Sequence, residues 1–188
     1  MKQIRDYFEK TCKIDDSDWQ TFSSKLKRVG FSKKTRILKK GEIENYLSFI
    51  ERGVIRFYIP KDENNATFAF AFGNGFYSAY DSFLTRLPSI YDVETLSETI
   101  LWRLTYDDLQ TIYKETAIGN TIGRLASEDL FIRKSKRELS LLNETAEERY
   151  LKLFTEHPEL IRQIPLQYIA SYIGITPQAL SRIRRRIS

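Results

Sequence analysis

The chain has 188 residues, of which 41% are hydrophobic and 29% charged, and these values are typical of one large globular domain or two small ones. No run approaches the roughly 20 apolar residues that cross a bilayer, residues 1–6 lack the apolar stretch of a secretory signal, and the single cysteine, Cys12, excludes an internal disulfide framework. We therefore expect a cytoplasmic protein without membrane association, whose formal net charge of +5 is by itself weak evidence for a polyanionic partner.

The first thirty residues are predicted to form two short helices, at residues 3–12 and 18–28. In the second helix, large apolar side chains recur every three to four residues and so share one face. Asp16 or Ser17 is placed to cap this helix, because short oxygen-bearing side chains accept hydrogen bonds from the free amides at a helix start. Gly30 is predicted to end it.

The pattern changes between Lys33 and Leu104, where short apolar runs are separated by turn residues. Large apolar residues occupy every second position over residues 68–72, and similar alternation occurs at 55–59 and 91–95. Successive side chains of a strand point to opposite faces of a sheet, so this spacing predicts short strands. We expect an antiparallel β-sandwich or barrel.

Beyond Leu104 no strand pattern remains, and three helices are predicted between residues 106 and 156. Thr105 is placed to cap a helix over residues 106–114, a long helix covers about 117–142, and a third covers residues 144–156. The long helix carries an apolar stripe, which indicates packing on the β-domain or on a twin helix. The predicted layout is a β-domain, a connecting helix and a small helical domain.

Residues 164–186 have the pattern of a helix-turn-helix. Ala170 is small, as required where two helices cross closely, and Gly174 stands at the corner, where glycine readily accommodates a positive φ. Thr176 is placed to cap the second helix, with Pro177 at its first position. The buried aliphatic positions are expected to be Ile169, Ile173, Leu180 and Ile183.

One face of the second helix is predicted to contact duplex DNA in the major groove. Residues three, four and seven apart share a helix face, and here that face carries Gln178, Ser181, Arg182 and Arg185. Arginine can bond guanine bidentately and glutamine can bond adenine, so Arg182 is the first candidate for a base contact, followed by Gln178 and Ser181. The residues expected on the phosphate backbone are Arg185, Arg186 and Thr176. A generic helical hairpin that closes a core is the alternative.

The segment from Ile169 to Ile183 resembles the helix-turn-helix of the Crp/Fnr family of bacterial transcription regulators. Residues 38–42 and 50–56 look like the opening strands of that family's cyclic-nucleotide-binding-type β-roll, and the order of elements is similar across nearly the whole chain. The resemblance implies an α+β fold with three parts. They are an N-terminal antiparallel, jelly-roll-like β-roll with flanking helices at 1–116, a long dimerisation helix at 117–142 and a helix-turn-helix DNA-binding domain at 143–188.

The ligand motif is where the chain departs from the family. Cyclic-nucleotide binders of the family carry a Gly-Glu-Leu-type segment for the ribose hydroxyl and a later Arg-Ser/Thr-Ala segment for the cyclic phosphate. Here Pro88 stands where the arginine would be, Ser89 is kept, Asp81 or Tyr80 lies near the glutamate position, and Arg86 comes two residues early. A buried phosphate without a cationic partner is costly, so we predict against cyclic nucleotide and name no cofactor.

Two interpretations of the aromatic residues around this motif stay open. They can form plain core, or they can line a site for an apolar or aromatic ligand that tyrosine hydroxyls orient. The aromatic residues concerned are Phe68, Phe70, Phe72, Phe76, Tyr77, Tyr80, Phe83 and Tyr91. The candidate ligand-contacting residues are Phe76, Tyr77, Ser78, Tyr80, Asp81, Arg86 and Ser89.

Catalytic and metal chemistry have little support in the sequence. The chain has one histidine, His157, and one cysteine, so no cluster has metal-ligand spacing and the family's iron–sulfur and haem variants are excluded. No phosphate-binding glycine motif is present. Cys12 and His157 could serve as nucleophile and base, but no third group is placed to orient them. We predict no catalytic residue and no metal site.

The expected function is that of a homodimeric transcription regulator, with two recognition helices in successive major grooves of a roughly palindromic site. Its expected partners are double-stranded DNA, a second copy of the chain, RNA polymerase and a small-molecule effector in the β-roll. The main alternative is a small-ligand-binding β-roll sensor or storage protein whose helical tail mediates association without sequence-specific DNA binding. An enzyme is the third and least favoured class.

Overall fold

Two four-stranded antiparallel sheets lie between helices from both ends of the chain. The structure, a computed structural model, describes residues 1–62, 64–156 and 158–187. Its strands are β1 (Lys27–Phe31), β2 (Arg36–Leu38), β3 (Tyr46–Arg52), β4 (Val54–Ile59), β5 (Ala66–Phe72), β6 (Gly75–Tyr77), β7 (Asp92–Thr95) and β8 (Thr99–Thr105). Its helices are α1 (Lys2–Glu9), α2 (Asp16–Ser24), α3 (Tyr80–Thr85), α4 (Tyr106–Glu115), α5 (Gly119–Asn143), α6 (Ala146–Glu156), α7 (Pro158–Gln163), α8 (Leu166–Tyr172) and α9 (Pro177–Ile187).

The two sheets form the predicted β-roll, with strand orders β1-β8-β3-β6 and β2-β7-β4-β5. Alternate residues of each strand point inward, as the two-residue periods indicated. The space between the sheets is filled by side chains from both, including Ile50, Leu101, Ile55, Phe57 and Val93. The antiparallel β-roll with flanking helices is therefore confirmed.

The outward-pointing residues of the two sheets build two further cores. Phe49 and Leu104 of the first sheet pack against Ile4 and Phe8 of α1, together with Phe22 of α2. On the second sheet, Val54, Phe70 and Phe72 pack against helices from the C-terminal end of the chain. Each sheet of the β-roll is consequently covered on both faces.

The second helix and the start of the β-roll differ from the prediction. Helix α2 ends at Ser24, and residues 27–31 form a strand that pairs with β8, so that Gly30 lies opposite Ile100 inside a sheet. The side chain that caps α2 is that of Asp15, which accepts a hydrogen bond from the Asp18 amide at 2.8 Å. Helical spacing up to residue 28 was misleading because pairing with a strand seventy residues later outweighs a local pattern.

Two short helices were not predicted, and one predicted helix start is confirmed in detail. Helix α3 lies within the region expected to be strands, and α7 follows α6 closely. At the start of α4, the Thr105 hydroxyl accepts from the Asp108 amide and the Asp108 carboxylate accepts from the Thr105 amide, which is a capping box.

His157 lies outside the described residues. In the described part of the chain, no helix is long and apolar enough to cross a bilayer.

Candidate nucleic-acid interface

Helices α8 and α9 are joined by the short turn that the sequence predicts. Gly174 has a φ of +83°, a conformation that L-residues adopt at a cost and glycine does not. The Ile175 amide returns to the Ala170 carbonyl at 3.0 Å, which satisfies a backbone group at the end of α8. The Thr176 hydroxyl accepts from the Ala179 amide at 3.2 Å and caps α9. The turn is therefore held by backbone conformation and capping.

A compact apolar core fixes the angle between the two helices. Ile169 and Ala170 of α8, Ile173 directly after α8, and Leu180 and Ile183 of α9 are buried, as predicted. The same cluster includes Tyr150 and Leu153 of α6 and Ile164, which precedes α8. We refer to helices α6 to α9 as the head. Because its core is closely packed, α9 has one orientation within the head.

The predicted reading face of α9 points away from this core. Gln178, Ser181, Arg182 and Arg185 are all exposed. Within the described residues, neither Arg182 nor Arg185 has a hydrogen-bonding or ionic partner. An exposed and unpaired guanidinium keeps its five donors for an external acceptor, and phosphates and guanine edges are such acceptors.

The two remaining candidates for DNA contact are partly engaged already. Thr176 is exposed but its hydroxyl caps α9. Arg186 is exposed and forms an ion pair with Glu147 of α6. Surface ion pairs of this kind contribute little to stability, so a phosphate can compete for the guanidinium.

Two arginines that the sequence did not single out hold the C-terminal end of α8. The Arg149 Nε donates to the Ile173 carbonyl at 2.9 Å, and the Arg137 guanidinium donates to the Tyr172 carbonyl while lying 4.1 Å from the centre of the Tyr172 ring. Cations are favourable at a helix C-terminus, where carbonyl groups lack partners. Burial lowers the pKa of Arg137. The sequence marks Arg137 only weakly, as an arginine beside the apolar stripe of the long helix.

The candidate ligand-contacting residues do not share one pocket. Phe76 and Tyr80 pack with the N-terminal helices on the outer face of the first sheet, whereas Tyr77 lies between the sheets. Burial raises the pKa of Tyr77 to about 12. The wider aromatic set is likewise divided, because Phe70 and Phe72 lie on the outer face of the second sheet against the head.

Three of the polar candidates make hydrogen bonds within the β-roll. The Ser78 hydroxyl donates to the Tyr46 carbonyl at 2.9 Å, and the Ser89 hydroxyl donates to the Tyr91 carbonyl at 2.8 Å. The Tyr91 hydroxyl donates to the Asp81 carboxylate. Burial and this carboxylate raise the pKa of Tyr91. The last of these contacts joins α3 to the residue that precedes β7.

Arg86, the one cation considered for a phosphate, is also engaged. Its guanidinium donates to the Glu44 carbonyl at 2.7 Å and to the Asn45 side-chain oxygen at 2.6 Å, and lies 5.1 Å from the centre of the Tyr106 ring. Glu44 is buried, and burial raises the pKa of its carboxyl group. The sequence carries no pattern that singles out Glu44. Arg86 therefore holds the loop before β3 against α3.

An open groove lies at the junction of the β-roll and the head. Its volume is about 540 Å³, and its lining includes Arg52, Gly53, Phe72, Asn74 and Gln163. It is a surface feature outside the space between the two sheets. None of the candidate ligand-contacting residues lines it.

The β-roll is similar to a known domain family. Residues 28–116 match the family model of the cyclic nucleotide-binding domain. No curated protein sequence matches the chain significantly.

Several solved structures are similar over nearly the whole chain. FixK2 of Bradyrhizobium japonicum is 16% identical, with 86% of this chain and 84% of that one covered and a TM-score of 0.73. The c-di-GMP-responsive global regulator CLP of Xanthomonas campestris is 14% identical, with 92% and 91% covered and a TM-score of 0.69. The catabolite activator protein of Thermus thermophilus is 17% identical, with 93% and 84% covered and a TM-score of 0.56.

Proposed function

We propose, from the cyclic nucleotide-binding-type β-roll at residues 28–116 and the Crp/Fnr fold of the chain, that this protein is a DNA-binding transcription regulator. The observation that carries the proposal is the exposed face of α9, on which Arg182 and Arg185 have no partner among the described residues. A helix presented in this way by a packed helix pair fits the width of the major groove.

Each residue of the reading face has a distinct proposed contact. Arg182 lies near the middle of the face and bonds the edge of a guanine, while Gln178 and Ser181, nearer the start of α9, contact neighbouring bases. Arg185 and Arg186 bind phosphates, and Arg186 leaves Glu147 to do so. Thr176 lies at the N-terminus of α9, where the helix dipole favours a phosphate.

A second copy of the chain completes the proposed regulator. Helix α5 has 25 residues, and its only buried residue among those described is Gly119. Ile132, Leu139 and Leu142 are 51%, 54% and 75% exposed. Leu125, Ile132 and Leu139 are seven residues apart and share one face, which is the spacing of a helix that pairs with a twin. Homodimerisation through α5 would present two α9 helices to a roughly palindromic site.

In this arrangement each part of the chain has its own proposed role. We assign ligand sensing to residues 1–116, dimerisation to residues 117–142 and DNA binding to residues 143–188. A regulator of this kind acts in the cytoplasm on DNA and RNA polymerase. An effector that acted through the candidate residues Phe76, Tyr77, Ser78, Tyr80, Asp81, Arg86 and Ser89 would first have to displace the packing and the hydrogen bonds that these residues make within the β-roll.

The proposal is tested by selecting duplexes from a random-sequence library with the wild-type protein and measuring affinity by fluorescence anisotropy. Arg182→Ala should reduce discrimination between the selected site and random DNA by about 1–3 kcal/mol for each lost base contact. Arg185→Ala is the matched control, because loss of a phosphate contact should weaken binding to both DNAs equally and reduce the salt dependence.

Two results would count against the proposal. If Arg182→Ala lost affinity equally for both DNAs, Arg182 would not be a base-reading residue. Failure of the wild-type protein to enrich any sequence, with no salt-dependent binding to random DNA, would leave the β-roll sensor without sequence-specific DNA binding as the better interpretation.

A further inference from the structure

The first helix of the helix-turn-helix, α8, is docked on the β-roll by side chains that take no part in the proposed reading of DNA. Helix α8 contacts β5, the last strand in the sheet order β2-β7-β4-β5. The outer side of such an edge strand presents backbone groups without a strand partner. Two polar contacts and one apolar cluster make the junction.

Ser171 forms the first polar contact, on the edge of β5. The Thr67 amide donates to the Ser171 hydroxyl oxygen at 2.8 Å, and the Ser171 hydroxyl donates to the Asn65 carbonyl at 2.9 Å. One hydroxyl thus satisfies a donor of the edge strand and an acceptor on the residue just before it. Both bonds require the last turn of α8 to stay at this place along β5.

Arg56 forms the second polar contact, from the centre of the same sheet. Its side chain is 3% exposed, donates to the Glu94 carboxylate and to the Thr67 hydroxyl at 2.8 Å each, and lies between two rings. The Arg56 guanidinium carbon is 4.3 Å from the centre of the Tyr58 ring and 3.8 Å from that of Tyr168, a residue of α8. A buried cation is stable only when it is paired and enclosed, and Tyr168 supplies part of the enclosure.

The apolar cluster makes the head and the sheet continuous. Val54, Phe70 and Phe72 of the β-roll belong to the same cluster as Ile169 and Ile173 of the head. Rotation of the head away from the sheet would expose these side chains to water and leave the Arg56 guanidinium without one of its rings. The docked orientation is therefore favoured over an undocked one, in which only the short connection between α5 and α6 would join the head to the rest of the chain.

We propose that Ser171, Tyr168 and Arg56 are positioning residues for DNA binding, which hold the recognition helix of each protomer in one orientation on its own β-roll. The inference rests on the proposed function, since it concerns how the reading face reaches its site. Two heads on a palindromic site must match the spacing of successive major grooves. If the head occupies many orientations, affinity for the full site falls in proportion to the fraction of molecules whose heads match the spacing of the two grooves.

The test compares variants that loosen the junction without touching the reading face. Ser171→Ala removes both edge-strand bonds, and Tyr168→Leu removes the ring over Arg56 while keeping an apolar side chain. Tyr168→Phe retains the ring and is the conservative control. Ser24→Ala, at the exposed end of α2, is the matched control for the serine substitution.

The first readout is the binding of duplexes selected by the wild-type protein. Ser171→Ala and Tyr168→Leu should bind the full palindromic site about tenfold more weakly and tolerate half-site spacings altered by about one or two base pairs. Affinity for an isolated half-site and for random DNA should not change. Tyr168→Phe and Ser24→Ala should behave as the wild type does. Full-site affinity and spacing preference that stay unchanged in Ser171→Ala and Tyr168→Leu would overturn the inference.

The second readout needs no DNA. Spin labels at Lys33→Cys in the β-roll and Gln167→Cys on α8, in a Cys12→Ser background, report the distance between β-roll and head. Ser171→Ala should broaden this distance distribution, and an unchanged width would overturn the docking role. If the wild type selects no DNA, the proposed function fails while this measurement still decides whether Ser171 fixes the head.

Discussion

At the scale of single residues, burial separates two uses of arginine in this protein. Arg182 and Arg185 are exposed and have no partner among the described residues, so their donors are available to an external anion. Arg56 and Arg137 are enclosed by tyrosine rings and protein oxygens, and they fix one helix against its neighbours. An arginine in a sequence carries no mark of which environment it will enter, because enclosure comes from residues distant in the chain.

Backbone conformation at two glycines gives a prediction at the same scale. Gly174→Ala should lower the free energy of unfolding by about 1–2 kcal/mol, since φ is +83° there and a Cβ would be strained. Gly30→Ala is the matched control: the space that its Cβ would enter is free of other atoms to 4 Å, and the expected change is within about 0.5 kcal/mol. Urea unfolding of the two variants measures the difference. Equal stabilities would show that the turn adapts without cost.

At the scale of elements, α5 is a long helix with an exposed apolar face. Two ion pairs between residues four apart, Arg124–Glu128 and Asp129–Arg133, support the helix itself. They do not cover Ile132 and Leu139, which are more than half exposed. The apolar face is thus available for the second copy that the proposed function requires.

Disruption of this face should produce a monomer. Ile132→Asp would place a carboxylate at the centre of the proposed helix pair, where desolvation of an unpaired charge opposes association. Lys134→Asp puts the same carboxylate on the opposite side of α5 and should leave the protein dimeric. Sedimentation velocity distinguishes the two states. A wild-type protein that sediments as a monomer would contradict dimerisation through α5.

At the scale of the whole molecule, the β-roll is filled and covered. Side chains occupy the space between the sheets, the N-terminal helices cover one outer face, and the head covers the other. Pro88 stands at the position where the family's phosphate-binding arginine is expected, and Arg86 is bonded to the loop before β3. A cyclic nucleotide would have to displace these contacts before its phosphate met a cation.

Cyclic AMP is therefore expected to leave the melting temperature unchanged. A ligand that binds the native state raises the melting temperature as its concentration exceeds its dissociation constant, so a thermal-shift titration to about 1 mM would detect even weak binding. A duplex selected by the protein serves as the positive control. A rise that depends on the concentration of cyclic AMP would show that Arg86, or another cation, becomes available to the phosphate.

The sequence alone determined those features that depend on neighbours within one or two turns of chain. Four features were predicted because each follows from residues a few positions apart. They are the alternating direction of side chains along β4 and β5, the capping residue Thr105, the positive φ of Gly174 and the exposed face of α9. Short-range patterns of this kind express backbone geometry and local hydrogen bonding. They were sufficient for the α+β layout and for the proposed reading face.

The tertiary structure alone decided which distant segments meet. Pairing with β8 turned residues 27–31 into a strand, and packing on two outer faces separated the aromatic residues around β6 and α3 into different clusters. The contacts of Ser171 with β5 and of Arg56 with Tyr168 join residues more than a hundred positions apart. No local period encodes such contacts, since they depend on the packing of whole sheets and helices. How the head is held was therefore visible only in the folded molecule.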